Sequence, residues 1–334
     1  MAASFSQPDE LKRIWDEQPG VIRIFMEVRP QYEELCKEVE YILRKRMDES
    51  SLEYSAITSR AKTLRSFANK IARKNYEEPL RNITDLAGVR VVYLYKSDRS
   101  AIEKIIENEF VLIEKVDKLD EQDADKFGYG ALHYLVRLGR KSSGARYDDL
   151  KTLVCEIQVR TVGQDAWAII DHHLSYKQES DVPKILRRKI NSLSGFFETA
   201  DDQFDRVRAD REQYRKAVKG KLESQDRSLD QEFNLDTFTE YLRWRFPNRI
   251  VTDDENRLTF ALSKAAEYGY ESLKDVDDLL MRTERARKAM AKKIPVPAAV
   301  GEVIRAIAFE HPAYRRLGWG SSSLFEEYDS LLTR

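Results

Sequence analysis

Several side chains in the first half of the chain have types and spacings suited to handling an anion. Lys62, Ser66 and Lys70 recur at i, i+4 and i+8, which on a helix sets two ammonium groups and a hydroxyl along one line. Like charges stacked this way repel unless an anion neutralises them. A polyphosphate would do so, and Arg60, at the expected helix start, sits where the helix dipole is positive. A solvated basic face is the other reading of the same stripe. Asp85 stands at the entrance to an apolar run, either as a turn residue or as an oxygen ligand for a hard cation such as Mg²⁺. Glu156, Gln158 and Arg160 alternate with Cys155, Ile157 and Val159, so a strand here would bury the second set and present the first as a polar floor. Tyr129 lies between Gly128 and Gly130 just ahead of His133, placed either to stack on a flat base or to pack on its neighbours.

These residues need elements to hold them. Residues from about 9 to 46 carry Val28, Tyr32, Leu35, Val39, Ile42 and Leu43 at three- and four-residue steps, the mark of a packed helical layer punctuated by Pro19-Gly20 and Pro30. Val89, Val91, Val92, Tyr93 and Tyr95 predict a strand that also carries Arg90. Strict alternation puts Asp85 and Arg90 on opposite faces, so they share a site only if Asp85 precedes the regular pleat or a bulge at Gly88 shifts it. A helix over about 100–109 and a strand near 111–116 follow. A polar, loop-like segment then leads to a strand in which Leu132, Tyr134, Val136 and Leu138 alternate with His133, Leu135 and Arg137. The floor strand runs into a helix with Trp167 near its start and Ala166, Ile169, Ile170 and His173 at helical spacing. A further helix to about 221 carries an apolar stripe including Leu193, Phe196, Phe197, Phe204 and Val207. KLESQDRSLDQEF is a polar linker, and residues from about 230 form a separate helical module without a catalytic constellation, in which His311 reads as structural.

The 334 residues suffice for one large or two modest domains. Lys and Arg number 57 against 58 Asp and Glu, which gives no whole-chain electrostatic case for nucleic acid or membrane. Cys36 and Cys155 suggest neither a disulfide framework nor a zinc site. The N-terminal residues lack the apolar core of a signal peptide, and no apolar run is long enough to span a bilayer. A soluble cytoplasmic protein is expected.

Four motifs occur in order: RxKxxxSxxxK (Arg60, Lys62, Ser66, Lys70), DLAGVR (Asp85 to Arg90), GYxxLH (Gly128 to His133) and EIQVRT…WAxxxHxxxYK (Glu156 to Lys177). Each is weak alone; the ordered set, over roughly residues 20–215, resembles the RelA/SpoT-type alarmone synthetase domain. The resemblance implies an α+β fold, with a mixed β-sheet flanked by helices in a nucleotidyltransferase-like synthetase domain over 1–221. A mostly helical module over 230–334 follows. It implies transfer of the β,γ-pyrophosphate of ATP to the 3′-hydroxyl of GDP or GTP, making (p)ppGpp. Arg60 and Arg90 would sandwich the adenine of ATP, with Lys62, Ser66 and Lys70 on its phosphates. Asp85 would bind Mg²⁺. Glu156 would be the general base with a share in the metal. Tyr129 would stack on guanine, and His133, Gln158 and Lys126 would serve the acceptor nucleotide. Arg160, Trp167, His172, Tyr176 and Lys177 match the family pattern chiefly as scaffold.

The chain departs from the family in three places on the acceptor side. DADKF precedes Tyr129 where many members have Pro-Lys-x-Asn, GYGALH lacks the polar residue often found after the tyrosine, and Asp165 stands where Asn is common. The chain begins too close to these motifs to hold the hydrolase domain of longer members, so hydrolysis is not expected. Two alternatives stay open. One is a toxin that pyrophosphorylates the 3′ CCA end of tRNA, with the C-terminal module as antitoxin or sensor. The other is a catalytically inactive nucleotide-binding regulator. A homo-oligomer is compatible with the sequence.

Overall fold

In the computed structural model, residues 10–74, 76–117, 130–174, 184–224, 228–252, 254–318 and 323–332 are described. The chain divides into two compact units, Met1–Val207 and Arg208–Arg334.

The first unit opens with α1 (Glu10–Glu17) and α2 (Pro19–Glu49). Proline at the first position of α2 suits a helix start, because its fixed φ is already helical and its missing N–H has no partner there. Then come β1 (Tyr54–Ala61), α3 (Leu64–Lys74), a short turn of helix α4 (Pro79–Asn82), β2 (Ala87–Tyr93) and α5 (Arg99–Glu109). After these follow β3 (Phe110–Asp117), β4 (Leu132–Leu138), β5 (Cys155–Thr161), α6 (Val162–Leu174) and α7 (Lys184–Glu223), which continues into the second unit. The strands form one mixed sheet in the order β1-β2-β5-β4-β3. β2 and β5 are parallel and the other neighbours antiparallel.

One face of the sheet is apolar. Val89, Val91, Tyr134, Val136, Cys155, Ile157 and Val159 cluster with Leu35, Val39, Leu43 and Met47 of α2, all nearly inaccessible to water. This matches the alternation in the sequence. A second cluster joins α1, the start of α2 and α3 through Ile14, Ile22, Phe25, Phe67 and Ile71, with the Phe25 and Phe67 rings stacked 4.1 Å apart.

Two local expectations are corrected. Arg60 lies on β1, not at a helix start; the β-branched Ile57 and Thr58 favour the strand, and the helix begins only after Thr63, whose hydroxyl accepts the Ser66 N–H at 3.2 Å. The apolar stripe of α7 does not face the core: Leu193, Phe196, Phe204 and Val207 are exposed, as are Ile169 and Ile170 of α6. Within the first unit α7 buries the polar Ser194 and Asp201.

Asp201 accepts a hydrogen bond from the Thr161 hydroxyl at the end of β5. Burial pushes its carboxyl up to about 6. A carboxyl raised in the folded state, against about 3.9 unfolded, holds its proton more tightly when folded, so this group's contribution to stability falls as pH rises between those values. Asp201→Asn keeps the acceptor and removes the charge. The variant should melt above the wild type at about pH 8 and lose that advantage below about pH 4; equal melting curves at both ends would show that Asp201 is not strained by its burial.

The second unit contains α8 (Leu235–Arg245), α9 (Glu255–Glu267), α10 (Leu273–Arg282), α11 (Glu284–Ala291), α12 (Ala299–Glu310), α13 (Pro312–Gly318) and α14 (Ser323–Glu326). Capping boxes start α8 (Asn234 with Thr237) and α10 (Ser272 with Asp275). Its core gathers Phe238, Tyr241, Leu279, Val303, Ile307 and Phe309, together with Val218 and Leu222 from the end of α7. His311 is part of the packing: its Nε2 lies 2.9 Å from the Tyr270 hydroxyl and its ring 4.5 Å from that of Tyr268. No described helix is long and apolar enough to cross a membrane.

Candidate active site

The register of the sheet builds the site floor. Residues paired across neighbouring strands point to the same face. Arg60 pairs with Gly88 and Gly88 with Glu156; one step along, Arg90 pairs with Gln158 and Gln158 with His133. Arg60, Arg90, His133, Glu156 and Gln158 therefore share the face opposite the apolar core. Gly88, between Arg60 and Glu156, leaves a dip in that floor. A Cβ there would make only ordinary contact, 3.8 Å from the Arg60 carbonyl, so the glycine preserves space above the floor and is not forced by its neighbours. The sheet has no bulge at this point. Asp85 reaches the same side because it precedes β2, one of the two arrangements the sequence permits.

Lys62 and Lys70 converge on Asp85 from different elements. Lys62 is in the turn between β1 and α3, fixed by its own N–H donating to the Leu86 carbonyl at 2.8 Å and by Arg29 donating to its carbonyl at 3.1 Å. Lys70 is on α3, which buries Phe67 and Ile71. Their Nζ atoms donate to Oδ2 and Oδ1 of Asp85 at 2.6 and 2.8 Å. Burial alone raises the Asp85 carboxyl, but the two ammonium groups outweigh it and hold the group below the ordinary carboxylate range.

Glu156 is held in a second hydrogen-bonded row. His133 Nδ1 lies 2.9 Å from Glu156 Oε1, Gln158 Nε2 donates to Glu156 Oε2 at 2.8 Å, and Arg160 donates to Gln158 Oε1 at 3.0 Å. Burial and the nearby Asp85 raise the Glu156 carboxyl; the bonds from His133 and Gln158 prevail and lower it. It is thus ionised at neutral pH and able to accept a proton. His133 Nε2 is buried without a hydrogen-bond partner among the described residues. Arg90 forms an ion pair with Asp165 of α6 at 3.0 Å, and Arg160 approaches the same oxygen at 3.7 Å.

One cavity of about 360 Å³ collects Arg60, Lys62, Ser66, Asp85, Arg90, Glu156 and Gln158. Lys70 joins it through Asp85 and His133 through Glu156. Lys126, Tyr129, Tyr176 and Lys177 lie outside the described residues. Trp167 is buried and its ring lies 6.4 Å from that of Phe197, as a scaffold residue would. His172 is exposed.

Two features escaped the sequence reading. Thr161 and Gln164 cap α6 reciprocally, each backbone N–H donating to the other's side chain at 2.8 and 3.0 Å. The Thr-x-x-Gln spacing before an apolar helix carries that signal in the sequence. The Asp165 contact with Arg90 has no such signal, because it joins residues on separate elements.

The donor set suits a hard divalent cation. Asp85 and Glu156 are ionised carboxylates facing one cavity, close enough for Asp85 to disfavour the charge on Glu156. No cluster of three or more His, Cys, Asp or Glu able to hold a metal occurs among the described residues. Two carboxylates suffice for Mg²⁺, which commonly takes its other ligands from water and phosphate.

The family described as "Region found in RelA / SpoT proteins" matches residues 59–181. The GTP pyrophosphokinase YwaC of Bacillus subtilis (strain 168) is 31% identical over 150 residues, covering 43% of this chain and 69% of that protein. The chain belongs to the RelA/SpoT family. A second relative, the GTP pyrophosphokinase YjbM of the same organism, is 24% identical over 166 residues, 49% of this chain and 75% of that one. Among solved structures, small alarmone synthetase 1 from Bacillus subtilis aligns with a TM-score of 0.48 at 19% identity, over 57% of this chain and 99% of that one.

Proposed function

We propose that the chain is a pyrophosphokinase that moves the β,γ-pyrophosphate of ATP to the 3′-hydroxyl of GDP or GTP, producing (p)ppGpp. The observation that carries this reading is the cavity lined by Asp85, Glu156, Lys62, Arg60 and Arg90, with Lys70 paired to Asp85 beside it. The two relatives, both named GTP pyrophosphokinases, support it. The synthetase activity is assigned to residues 1–221, with 230–334 as a separate module.

The roles proposed for its residues rest on the family motifs they match. Arg60 and Arg90, on neighbouring strands, stack on the two faces of the adenine. Lys62, Ser66 and Lys70 take the ATP phosphates. Gln158 and His133, with Lys126 and Tyr129, hold the acceptor nucleotide. Its 3′-oxygen attacks the β-phosphorus in line. A bond from that oxygen to phosphorus forms while the bond from phosphorus to the α,β-bridging oxygen breaks, and AMP leaves with the electron pair. Glu156 accepts the hydroxyl proton. Asp85 and Glu156 would hold Mg²⁺, which when bound supplies charge neutralisation on the transferring group. Aligned reactants and fixed cations then provide most of the acceleration.

Arg90→Lys keeps the charge but loses the planar face. It should raise the KM for ATP about tenfold with the acceptor KM unchanged. An effect on the acceptor instead would move Arg90 to the other nucleotide.

The deciding assay incubates the chain with γ-labelled ATP and, separately, GDP, GTP and deacylated tRNA. Label in GDP or GTP with matching AMP release is expected. Label only in tRNA, or in no acceptor, would overturn the proposal.

A further inference from the structure

β2 and β5 set two arginines side by side. Arg90 pairs with Gln158 in the register, and Arg160 stands two residues beyond Gln158 on the same face. Arg90 and Arg160 are therefore diagonal neighbours on adjacent strands, and their like charges repel. Burial and then Arg90 disfavour the charge on Arg160, against Asp165 and Glu156, and hold its guanidinium below the ordinary value. Of Arg90, Arg160 and Asp165, only Arg90 lines the active-site cavity.

Asp165 stands between the two. β5 runs straight into α6, so the first turn of the helix lies at the end of the strand. The Thr161–Gln164 cap fixes that turn, and Thr161 is itself tied to Asp201 of α7. From this turn Asp165 Oδ1 lies 3.0 Å from Arg90 Nη1 and 3.7 Å from Arg160 Nη1. An acidic residue in a first helical turn also complements the helix dipole, which is its plain structural reading. The two arginines differ in what else holds them. Arg160 donates to Gln158 Oε1 at 3.0 Å, and its side chain is only 13% exposed. Arg90 is 33% exposed, and among the described residues its only ion-pair partner is Asp165. Without that carboxylate, Arg160 stays with Gln158, and Arg90 is the group that repulsion can move out toward water.

The geometry points to Asp165 as a positioning residue for ATP: its carboxylate holds Arg90 in the cavity wall, against the repulsion of Arg160, where the guanidinium can stack on adenine. This role rests on Arg90 being the adenine-stacking residue proposed above. A planar cation gains from stacking only when it is held in place beforehand, and a carboxylate on a capped helix does that holding.

The test is calorimetric titration of the full chain with α,β-methylene ATP and Mg²⁺, without acceptor; the analogue cannot be split at the bond that transfer breaks. Arg90→Lys and Asp165→Asn should each weaken binding about tenfold. Combined, they should stay within about twofold of either alone, because both act through one guanidinium. Adding Arg160→Gln to Asp165→Asn removes the repulsion and should recover about threefold or more of the lost affinity. A residue serving only the helix dipole would shift the melting temperature and none of these affinities. If Asp165→Asn fails to fold, Asp165→Ser, which also removes the charge, takes its place. Three results would overturn the role of Asp165 alone: Asp165→Asn binding as the wild type does while Arg90→Lys is weakened, a loss of about a hundredfold in the double variant, or no recovery with Arg160→Gln. No binding by the wild type, or binding untouched by Arg90→Lys, would overturn the ATP role of Arg90 and that of Asp165 with it.

Discussion

Glu156→Gln should fold as the wild type does and lose transfer by about 10²–10⁴-fold, more if Glu156 also touches the metal. The replacement is isosteric but cannot take a proton. It also disturbs the row around it. Both carboxylate oxygens of Glu156 now accept hydrogen bonds, one from Gln158 and one at His133. An amide offers one acceptor and one donor, so one of those bonds is lost or Gln158 turns over and withdraws its oxygen from Arg160. The acceptor pocket should loosen as the base disappears. Steady-state rates beside melting curves check this. A variant that keeps more than about a tenth of wild-type kcat would remove Glu156 from the chemistry.

Asp85→Asn should have the next largest effect, with a different signature. The carboxylate now holds the ammonium groups of both Lys62 and Lys70. Removing its charge leaves two lysines facing the cavity with less to neutralise them. ATP should therefore bind at least as tightly as before, while kcat falls about 10²-fold, because an amide oxygen is a poorer ligand for a hard cation than a carboxylate and the charge organisation is lost. The Mg²⁺ needed for half-maximal rate should rise. A near-normal kcat with an unchanged metal titration would reduce Asp85 to a clamp on the two lysines.

What could be read in the sequence was whatever repeats locally. The floor strand was legible because one face is buried and the other polar, so Cys155, Ile157 and Val159 separate cleanly from Glu156, Gln158 and Arg160. The lysine spacing was legible too, but its geometry was misread. Arg60 and Lys62 precede the helix, and the two lysines meet through Asp85, fifteen or more positions away, rather than along a helical line. The pairing of β2 with β5 across a long intervening segment, and of Arg90 with Asp165, depends on strand order, which no local pattern encodes. α7 misleads for another reason: apolar periodicity marks a face suited to burial, and in this chain that face is left exposed while Asp201 turns inward.

The carboxylate shared by Lys62 and Lys70 has a consequence for how binding responds to salt. Lysines that wait for an anion ordinarily gather mobile ions from solution, and expelling them on binding supplies a favourable entropy that shrinks as ionic strength rises. Here the neutralising charge is built into the protein and cannot diffuse away. A polyphosphate that displaces Asp85 from the lysines releases no salt ions from those two sites. Its affinity should therefore fall less steeply with ionic strength than the number of cations in the cavity would suggest, keeping nucleotide capture comparatively steady where the salt around the protein varies.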